Sequence, residues 1–316
     1  MIGVVGQKLF LPRETAVKQL EGSKEGYKYY ESYEAMLADK ADIEIIINAK
    51  APDKAVLEQL PNLKWVFSYF AGVDSYPLQL FKERGILLTN TSGLHKTNIA
   101  EQVLGSMILF SRNLLQAMTD KLTKTWKPYP IDELIGKKLL IIGTGHIGTE
   151  IARKAKAFDM IVSGVRFRDD QKKPEYFDEV FNVRDLDQVL PGKDYVCLVV
   201  PATKETIGMM AKTEFKAMDP TAVFINVGRG DTMNQADLVQ ALTDHEIKGA
   251  ILDVFEVEPL PADSPLWEMP NVVITPHIAG PTPYYDKRAF EMFQANLERF
   301  RQGEPLTNLV DFDRGY

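Results

Sequence analysis

Three polar residues in the second half of the chain each follow an apolar stretch that reads as a buried strand. They are Arg229 in INVGRGD, Glu258 in LDVFEVEPLP and His277 in NVVITPHIAG. In open α/β sheets, ligands bind outside the carboxyl ends of the strands. We therefore expect these three side chains to emerge from loops near strand ends, where such a site forms.

The three residue types together suit the reduction of a ketone that lies next to a carboxylate. Hydride transfer to the ketone leaves a developing alkoxide that needs a proton, and a histidine can supply one near neutral pH. A glutamate beside that histidine favours the protonated imidazolium. An arginine can hold the oxo group and the carboxylate of a 2-keto acid. Taken singly, each residue also fits an ordinary surface or loop position, so the interpretation depends on the set.

A glycine-rich segment, GTGHIG, lies between the apolar run LLII and an amphipathic stretch. Gly143, Gly145 and Gly148 give the spacing that allows a tight turn, close approach of a pyrophosphate and close packing of helix on strand. His146 and Ile147 complete the loop, and a pyrophosphate there would lie at a helix N-terminus that favours anions. The spacing alone also fits a turn that binds nothing, but its place between strand and helix favours dinucleotide binding.

Two arginines stand where NAD-binding chains of this kind usually place an acidic residue. Arg166 directly follows the run MIVSGV, about 20 positions after the glycine turn, and Arg168 follows two residues later. A cation at that position cannot accept the hydrogen bonds of the ribose hydroxyls, but it can pair with a 2′-phosphate. The arginines therefore favour NADP over NAD as the cofactor. The alternative is a solvated pair of surface arginines.

Apolar strand-like runs alternate with amphipathic stretches along most of the chain. This pattern predicts an α/β protein with parallel sheets covered on both faces. The runs form two series, which indicates two lobes, joined near one long helix predicted over 99–118. A last helix over 286–303 would pack back on the first lobe. The predicted strands are 2–5, 43–48, 63–69 and 86–90 in the first series and 137–143, 160–165, 194–201, 222–228, 249–255 and 271–276 in the second.

Composition excludes several classes of protein and of site. The net charge of −7 argues against a nucleic acid or an anionic membrane as partner. Cys197 is the single cysteine, which rules out an internal disulfide and fits a reducing compartment. We see no signal peptide and no apolar run of the length needed to cross a bilayer, so we expect a cytoplasmic protein. No histidine pair or carboxylate cluster has the spacing of a metal site.

Long sequence motifs occur in a characteristic order. GTGHIG, INVGRGD, LDVFEVEPLP, DSPLW with PNVVITPH, and NLERFRQGEPL resemble the D-isomer-specific 2-hydroxyacid dehydrogenase family over nearly the whole chain. The resemblance implies two Rossmann-like lobes with the active site in the cleft between them. It implies a substrate-binding domain of residues 1–96 plus 283–316 and an NAD(P)-binding Rossmann domain of residues 97–282. It also implies a homodimer.

The resemblance also implies a role for individual residues. Arg229 would orient the substrate, Glu258 would be the partner of the histidine, and His277 would be the acid/base. The N–H groups of Ala71, Gly72 and Val73 would bind the substrate carboxylate. Asp253 would meet the nicotinamide carboxamide. The residues along the cofactor would be Val200, Pro201, Val227 and Gly228.

The expected activity is the reduction of a 2-keto acid, such as glyoxylate or hydroxypyruvate, to a D-2-hydroxy acid. NADP is the expected cofactor, with NAD as the alternative. A formate dehydrogenase of the same superfamily would carry a Gln–His pair, and Glu258 argues against it. The alternative from another class is a dinucleotide-sensing, corepressor-like binding protein of the same fold in which catalysis is dispensable.

Overall fold

The computed structural model describes residues 1–6, 11–21, 25–73, 75–167 and 172–313. The chain forms two compact units, each with its own parallel sheet. The first unit combines Met1–Leu94 with Thr282–Tyr316, and the second unit is the continuous segment His95–Pro281. The predicted α/β fold with two lobes of parallel sheet is confirmed.

The strands and helices are numbered in chain order. The strands are β1 Ile2–Val5, β2 Tyr27–Tyr30, β3 Ile45–Asn48, β4 Trp65–Ser68, β5 Leu87–Thr89, β6 Lys138–Ile142, β7 Ile161–Arg166, β8 Glu179–Asn182, β9 Tyr195–Leu198, β10 Val223–Asn226, β11 Gly249–Leu252 and β12 Val272–Ile274. The α-helices are α1 Arg13–Leu20, α2 Tyr33–Met36, α3 Lys54–Glu58, α4 Leu78–Arg84, α5 Lys96–Ser111, α6 Leu114–Thr123, α7 His146–Lys156, α8 Leu186–Val189, α9 Lys212–Ala217, α10 Gln235–Thr243 and α11 Tyr285–Gln302.

The first unit is built on a five-stranded sheet in the order β2-β1-β3-β4-β5. Helix α11 covers part of it, because aromatic side chains of the helix pack against those of β4. Phe293 stacks on Trp65 with ring centroids 5.2 Å apart and meets Phe67 edge-on at 5.4 Å. These rings are fully buried, so they contribute both burial and ring contacts to the core. The C-terminal segment therefore belongs to the core of the first unit.

The second unit is built on a seven-stranded sheet in the order β12-β11-β10-β9-β6-β7-β8, with every pair parallel. Strand β6 pairs with β7 on one side and with β9 on the other, so the strand order reverses at β6 and β9. Apolar residues of α5 and α7, such as Val103 and Ile151, share one core with β6 and β9. Such a reversal point is where open α/β sheets bind their ligands.

The structure corrects the long helix predicted over 99–118. Helix α5 ends at Ser111, and α6 begins at Leu114 after Asn113, whose φ of 51° is left-handed. Asparagine tolerates this conformation better than most residues, so the chain turns there without glycine or proline. Helix α6, all of which the structure describes, has no buried residue. The half-buried Leu115 packs against the core of the second unit, whereas Leu114, Met118 and Leu122 are exposed.

The described residues contain neither a helix suited to span a membrane nor a group of side chains suited to hold a metal ion. In the described parts of the chain, no helix combines the length and apolarity needed to span a membrane. Across the same residues, no three histidine, cysteine or acidic side chains group as metal ligands would.

Candidate active site

The glycine turn connects β6 to α7 at the point where the strand order reverses. Gly143 has a left-handed φ of 110°, and a Cβ there would lie 2.7 Å from the carbonyl oxygen of Val199. A Cβ on Gly148 would lie only 1.9 Å from the carbonyl oxygen of Gly143. Any side chain at these two positions would collide with backbone, so packing requires both glycines.

Gly145 differs from the other two glycines because a Cβ there would meet no described heavy atom within 4 Å. It is the N-cap of α7 and, among the described residues, no side chain caps the helix. The first N–H groups of α7, which begin with His146 and Ile147, therefore face open space beside a residue without a side chain. This arrangement fits the pyrophosphate of a dinucleotide, because a helix N-terminus attracts anions.

The loops after β9 and β10 lie against each other beside this turn. A Cβ on Gly228 would lie 2.8 Å from the carbonyl oxygen of Val200, and both residues are buried. Val227 is also buried, whereas Pro201 is exposed. Since Val199 packs against Gly143, the structure brings these four predicted cofactor residues to the carboxyl ends of the strands, next to the glycine turn.

Arg166 is the last residue of β7, the strand next to β6. Its side chain is half-buried, and Nη1 donates to the carbonyl oxygen of Lys172 at 3.1 Å. The guanidinium is therefore held at the same sheet edge as the glycine turn. Arg168 lies outside the described residues.

His277 and Glu258 form a direct pair, as the sequence predicts. Nδ1 of His277 lies 2.6 Å from Oε2 of Glu258, and the other carboxylate oxygen accepts the Phe255 N–H at 3.0 Å. Partial burial raises the pKa of Glu258. The hydrogen bonds from His277 and Phe255 and the charges of His277 and Arg229 outweigh this effect, so its pKa lies below the ordinary value. The His277 side chain is 49% exposed, and its Nδ1 is engaged with Glu258.

Asp253 at the end of β11 holds the loop that carries His277. It is only 2% exposed, and its carboxylate accepts from Thr275 Oγ1 at 2.5 Å, Ile278 N at 3.0 Å and Ala279 N at 3.1 Å. His277 itself has a left-handed φ of 52°, an unfavourable conformation for a residue with a side chain. Three bonds to one buried carboxylate stabilise this loop conformation.

Helix α5 supports the same loop with residues that the sequence analysis did not identify. Gln102 donates to Thr275 Oγ1 at 3.1 Å, and Asn98 donates to the carbonyl oxygens of Ala279, at 2.8 Å, and Gly280. Asn98 and Gln102 are four positions apart, so they lie on one face of the helix. The sequence offered one signal for this role, which is the four-residue spacing of the two amide side chains on α5.

Arg229 follows β10 and is exposed, with Nη1 donating to the carbonyl oxygen of Gly228 at 2.8 Å. A Cβ on Gly230 would lie 1.9 Å from the carbonyl oxygen of Phe255, so this turn packs directly against the segment leading to Glu258. The charge of Arg229 contributes to the lowered pKa of Glu258. The structure thus brings Arg229, Glu258 and His277 together within the second unit.

The predicted carboxylate loop lies in the first unit, after β4. The N–H groups of Ala71, Gly72 and Val73 have no hydrogen-bond partner among the described residues, and Gly72 is exposed. Three consecutive N–H groups without partners suit an anion, because they offer several donors to one carboxylate. The loop is therefore a second candidate binding element, and it belongs to the first unit.

Residues 104–279 match the family model described as the D-isomer specific 2-hydroxyacid dehydrogenase, NAD binding domain. The chain is 33% identical to a glyoxylate reductase of Pyrococcus furiosus, over 96% of this chain and 95% of the relative. A D-isomer specific 2-hydroxyacid dehydrogenase family protein of Aeromonas salmonicida is 33% identical, with a TM-score of 0.80 and 99% of each chain covered. An NADPH-dependent glyoxylate/hydroxypyruvate reductase of Sinorhizobium meliloti, solved with NADP and sulfate, is 28% identical, with a TM-score of 0.80 over 100% of this chain and 99% of the other.

The matched family model covers more than half of the chain, and the Pyrococcus relative aligns with nearly all of it. The glycine turn, the strand order around it and the His277–Glu258 pair agree with these matches. The chain belongs to the D-isomer specific 2-hydroxyacid dehydrogenase family and is an oxidoreductase that uses a nicotinamide dinucleotide.

Proposed function

We propose that this enzyme reduces a 2-keto acid to the D-2-hydroxy acid and that it prefers NADPH to NADH. The observation that carries the proposal is the His277–Glu258 pair, joined at 2.6 Å on a loop that the buried Asp253 carboxylate holds in place. A histidine paired through one ring nitrogen to a carboxylate is suited to deliver a proton from the other nitrogen.

The dinucleotide supplies the hydride when it is bound. His277 then donates a proton from Nε2 to the carbonyl oxygen of the substrate, because Nδ1 is engaged with Glu258. The lowered pKa of Glu258 keeps its carboxylate charged at neutral pH, and this charge stabilises the imidazolium before transfer. In the reverse direction, the same nitrogen accepts the proton of the hydroxy acid.

Substrate binding is assigned to two sets of donors. Arg229 holds the oxo group and the carboxylate of the substrate, because a guanidinium presents paired donors to such groups. The N–H groups of Ala71, Gly72 and Val73 bind the carboxylate. Their lack of partners among the described residues supports this role.

The cofactor is assigned to the carboxyl ends of β6, β7, β9, β10 and β11. The glycine turn with His146 and Ile147 binds the pyrophosphate, and Asp253 meets the nicotinamide carboxamide. The other residues along the cofactor are Val200, Pro201, Val227 and Gly228.

The preference for NADPH rests on Arg166 at the end of β7, with Arg168 as a second cation. The Sinorhizobium reductase was solved with NADP, and a Xanthobacter autotrophicus family member, 26% identical with a TM-score of 0.82, was solved with NADPH. These complexes support the assignment. The names of the relatives also support glyoxylate or hydroxypyruvate as substrate.

We further propose that the partner is a second copy of the chain, forming a homodimer. Helix α6 and the segment after it expose large apolar side chains, including Leu122 at 83% and Trp126 at 98%. Such a surface favours association in water. Light scattering after size exclusion tests this proposal, and a single mass near 35.6 kDa would contradict it.

The decisive experiment measures the consumption of NADPH and NADH in parallel against a panel of 2-keto acids from glyoxylate to phenylpyruvate. Rapid loss of NADPH with one member and slower loss of NADH supports the proposal. Equal rates with both cofactors contradict the NADPH preference. Binding of a cofactor without turnover on any member favours a dinucleotide-sensing protein instead.

A further inference from the structure

Three carbonyl groups of the carboxylate loop and of the residues just before it are engaged in hydrogen bonds. The carbonyl oxygen of Tyr69 accepts from the hydroxyl groups of Tyr285 and Thr91. The carbonyl oxygen of Phe70 accepts from Ser68 Oγ at 2.8 Å. Each bond fixes one peptide plane of the loop.

The third carbonyl of the loop is held by Asn90, the residue directly after β5. Nδ2 of Asn90 donates to the carbonyl oxygen of Ala71 at 2.8 Å. The peptide bond is planar and trans, so the C=O of Ala71 and the N–H of Gly72 point in opposite directions in one plane. Asn90 therefore sets the direction in which the Gly72 N–H points.

Asn90 is itself fixed on every side. It is 5% exposed, and its Oδ1 accepts the Ser92 N–H at 3.0 Å. Because an N–H must meet an oxygen, this bond determines which end of the amide faces Ala71. The backbone of Asn90 is tied to Asn308, by its N–H to the Asn308 carbonyl and by its carbonyl to Asn308 Nδ2, both at 3.3 Å.

We propose that Asn90 is a positioning residue for the substrate carboxylate, acting through the Ala71–Gly72 peptide. This inference rests on the proposed function and deepens it, because it names a residue that selects acids over neutral carbonyl compounds. Only a side chain with a donor and an acceptor in one rigid plane can bind Ala71 and Ser92 at once. The hydrogen bonds given above for Asn90 all lie within the first unit.

The test compares glyoxylate, which carries a charged carboxylate, with its neutral methyl ester, each with NADPH. The variant Asn90→Leu keeps the side-chain volume but removes both hydrogen bonds. We expect kcat/KM for glyoxylate to fall about tenfold to a hundredfold, because bonds to a charged group are misaligned. We expect kcat/KM for the ester to change less than about threefold, and the dissociation constant of NADPH to stay the same.

The control is Asn62→Leu, because Asn62 makes the same kind of bond, from Nδ2 to the carbonyl oxygen of Ala41 at 2.7 Å, at an exposed position. This variant should keep the wild-type ratio of the two kcat/KM values. If Asn90→Leu does not fold, Asn90→Ser serves in its place, since the smaller residue admits water at the site.

The outcomes separate this inference from the proposed function. A wild-type protein that reduces neither substrate contradicts the proposed function. A wild-type protein that prefers the acid, with the same preference in the Asn90 variants, contradicts only the role of Asn90. Equal losses on acid and ester would overturn it as well, because a general structural role lowers both.

Discussion

The main-chain N–H of His277 donates to the carbonyl oxygen of Asp253 at 2.9 Å, and the side chain of Asp253 accepts the two N–H groups that follow His277. One buried residue thus holds the backbone on both sides of a histidine with a left-handed φ. The cost of that conformation, about 1–3 kcal/mol in general, is offset by bonds to a charged group. The position of the imidazole therefore depends on β11 as well as on Glu258.

Thr275 allows a test of this support without removing a proposed cofactor contact. Thr275→Val deletes the 2.5 Å bond to Asp253 and the bond from Gln102, and it keeps the shape of the side chain. We expect kcat to fall about tenfold and the free energy of unfolding to fall by about 2 kcal/mol, because a hydrogen bond to a carboxylate is lost. Thr243→Val is the control. It removes a bond from an exposed threonine at the end of α10 to a main-chain carbonyl and should change kcat little. An unchanged kcat in Thr275→Val would show that these hydrogen bonds do not position His277.

His277 is expected to be essential for turnover but not for cofactor binding. His277→Asn should lower kcat by about a hundredfold to ten-thousandfold, because the proton donor is gone. The dissociation constant of NADPH, measured by fluorescence titration, should change less than about twofold. Retention of most of kcat would assign the proton transfer to another group.

The charge of Glu258 determines how we expect the activity to depend on pH. Its pKa is lowered from the ordinary 4.5, so the carboxylate stays charged above that pH and is protonated only as the pH falls through the lowered value. Glu258→Gln removes this charge at every pH and should lower kcat at pH 7 by about tenfold or more. The wild-type pH–rate profile should therefore show no loss caused by Glu258 above pH 4.5. A Gln variant with the wild-type profile contradicts the pairing.

Arg166 is the test of cofactor preference. Arg166→Asp should raise KM for NADPH about tenfold to a hundredfold, because a charge-assisted bond to the 2′-phosphate is replaced by repulsion. KM for NADH should change less than about threefold. Arg299→Asp in α11 makes the same change of charge in the other unit and should leave both values unaltered. Equal effects of Arg166→Asp on the two cofactors would show that this arginine does not distinguish NADPH from NADH.

Arg301 in α11 predicts how the stability of the first unit depends on pH. It bonds Glu25 through two nitrogens at 2.8 Å and Glu44 at 2.7 Å. The bond to Arg301 lowers the pKa of Glu25, and those from Lys64 and Arg301 lower that of Glu44. Carboxylates with lowered pKa values stabilise the fold above their ordinary pKa and lose this contribution as the pH falls through the lowered values.

Arg301→Met should therefore lower the free energy of unfolding by about 1 kcal/mol at pH 7, measured by urea titration. The difference from wild type should disappear in acid. Lys287→Met, which breaks an exposed pair to Glu291 at 3.9 Å, should have no measurable effect. A difference that persists at low pH would point to packing of the Arg301 side chain instead of its charge.

The sequence predicted the central strands well because their residues are apolar throughout. Strands β3, β4, β9 and β10 are buried on both faces, and each lies inside its predicted range. Strands β2 and β8 were not predicted. They lie at sheet edges, where half-exposed sequences such as YKYY and EVFN carry only a weak apolar signal.

Within the site, sequence reasoning identified residues whose chemistry is distinctive but did not predict the hydrogen bonds that support them. The pairing of His277 with Glu258 was expected from the family resemblance. The bonds of Asp253, Thr275, Gln102 and Asn90 depend on which loops the fold brings together, and no local pattern encodes that. The break at Asn113 was missed because the apolar period continues across it.

The second unit is a continuous segment, whereas the first is interrupted between Leu94 and Thr282. During synthesis, the whole of the second unit leaves the ribosome before Phe293, so Trp65 meets its stacking partner only after the second unit has been made. The second unit can fold as soon as it is made, and the first unit completes its core last. Until Phe293 is made, the face of β4 that carries Trp65 and Phe67 lacks the ring contacts that help to bury it in the folded first unit.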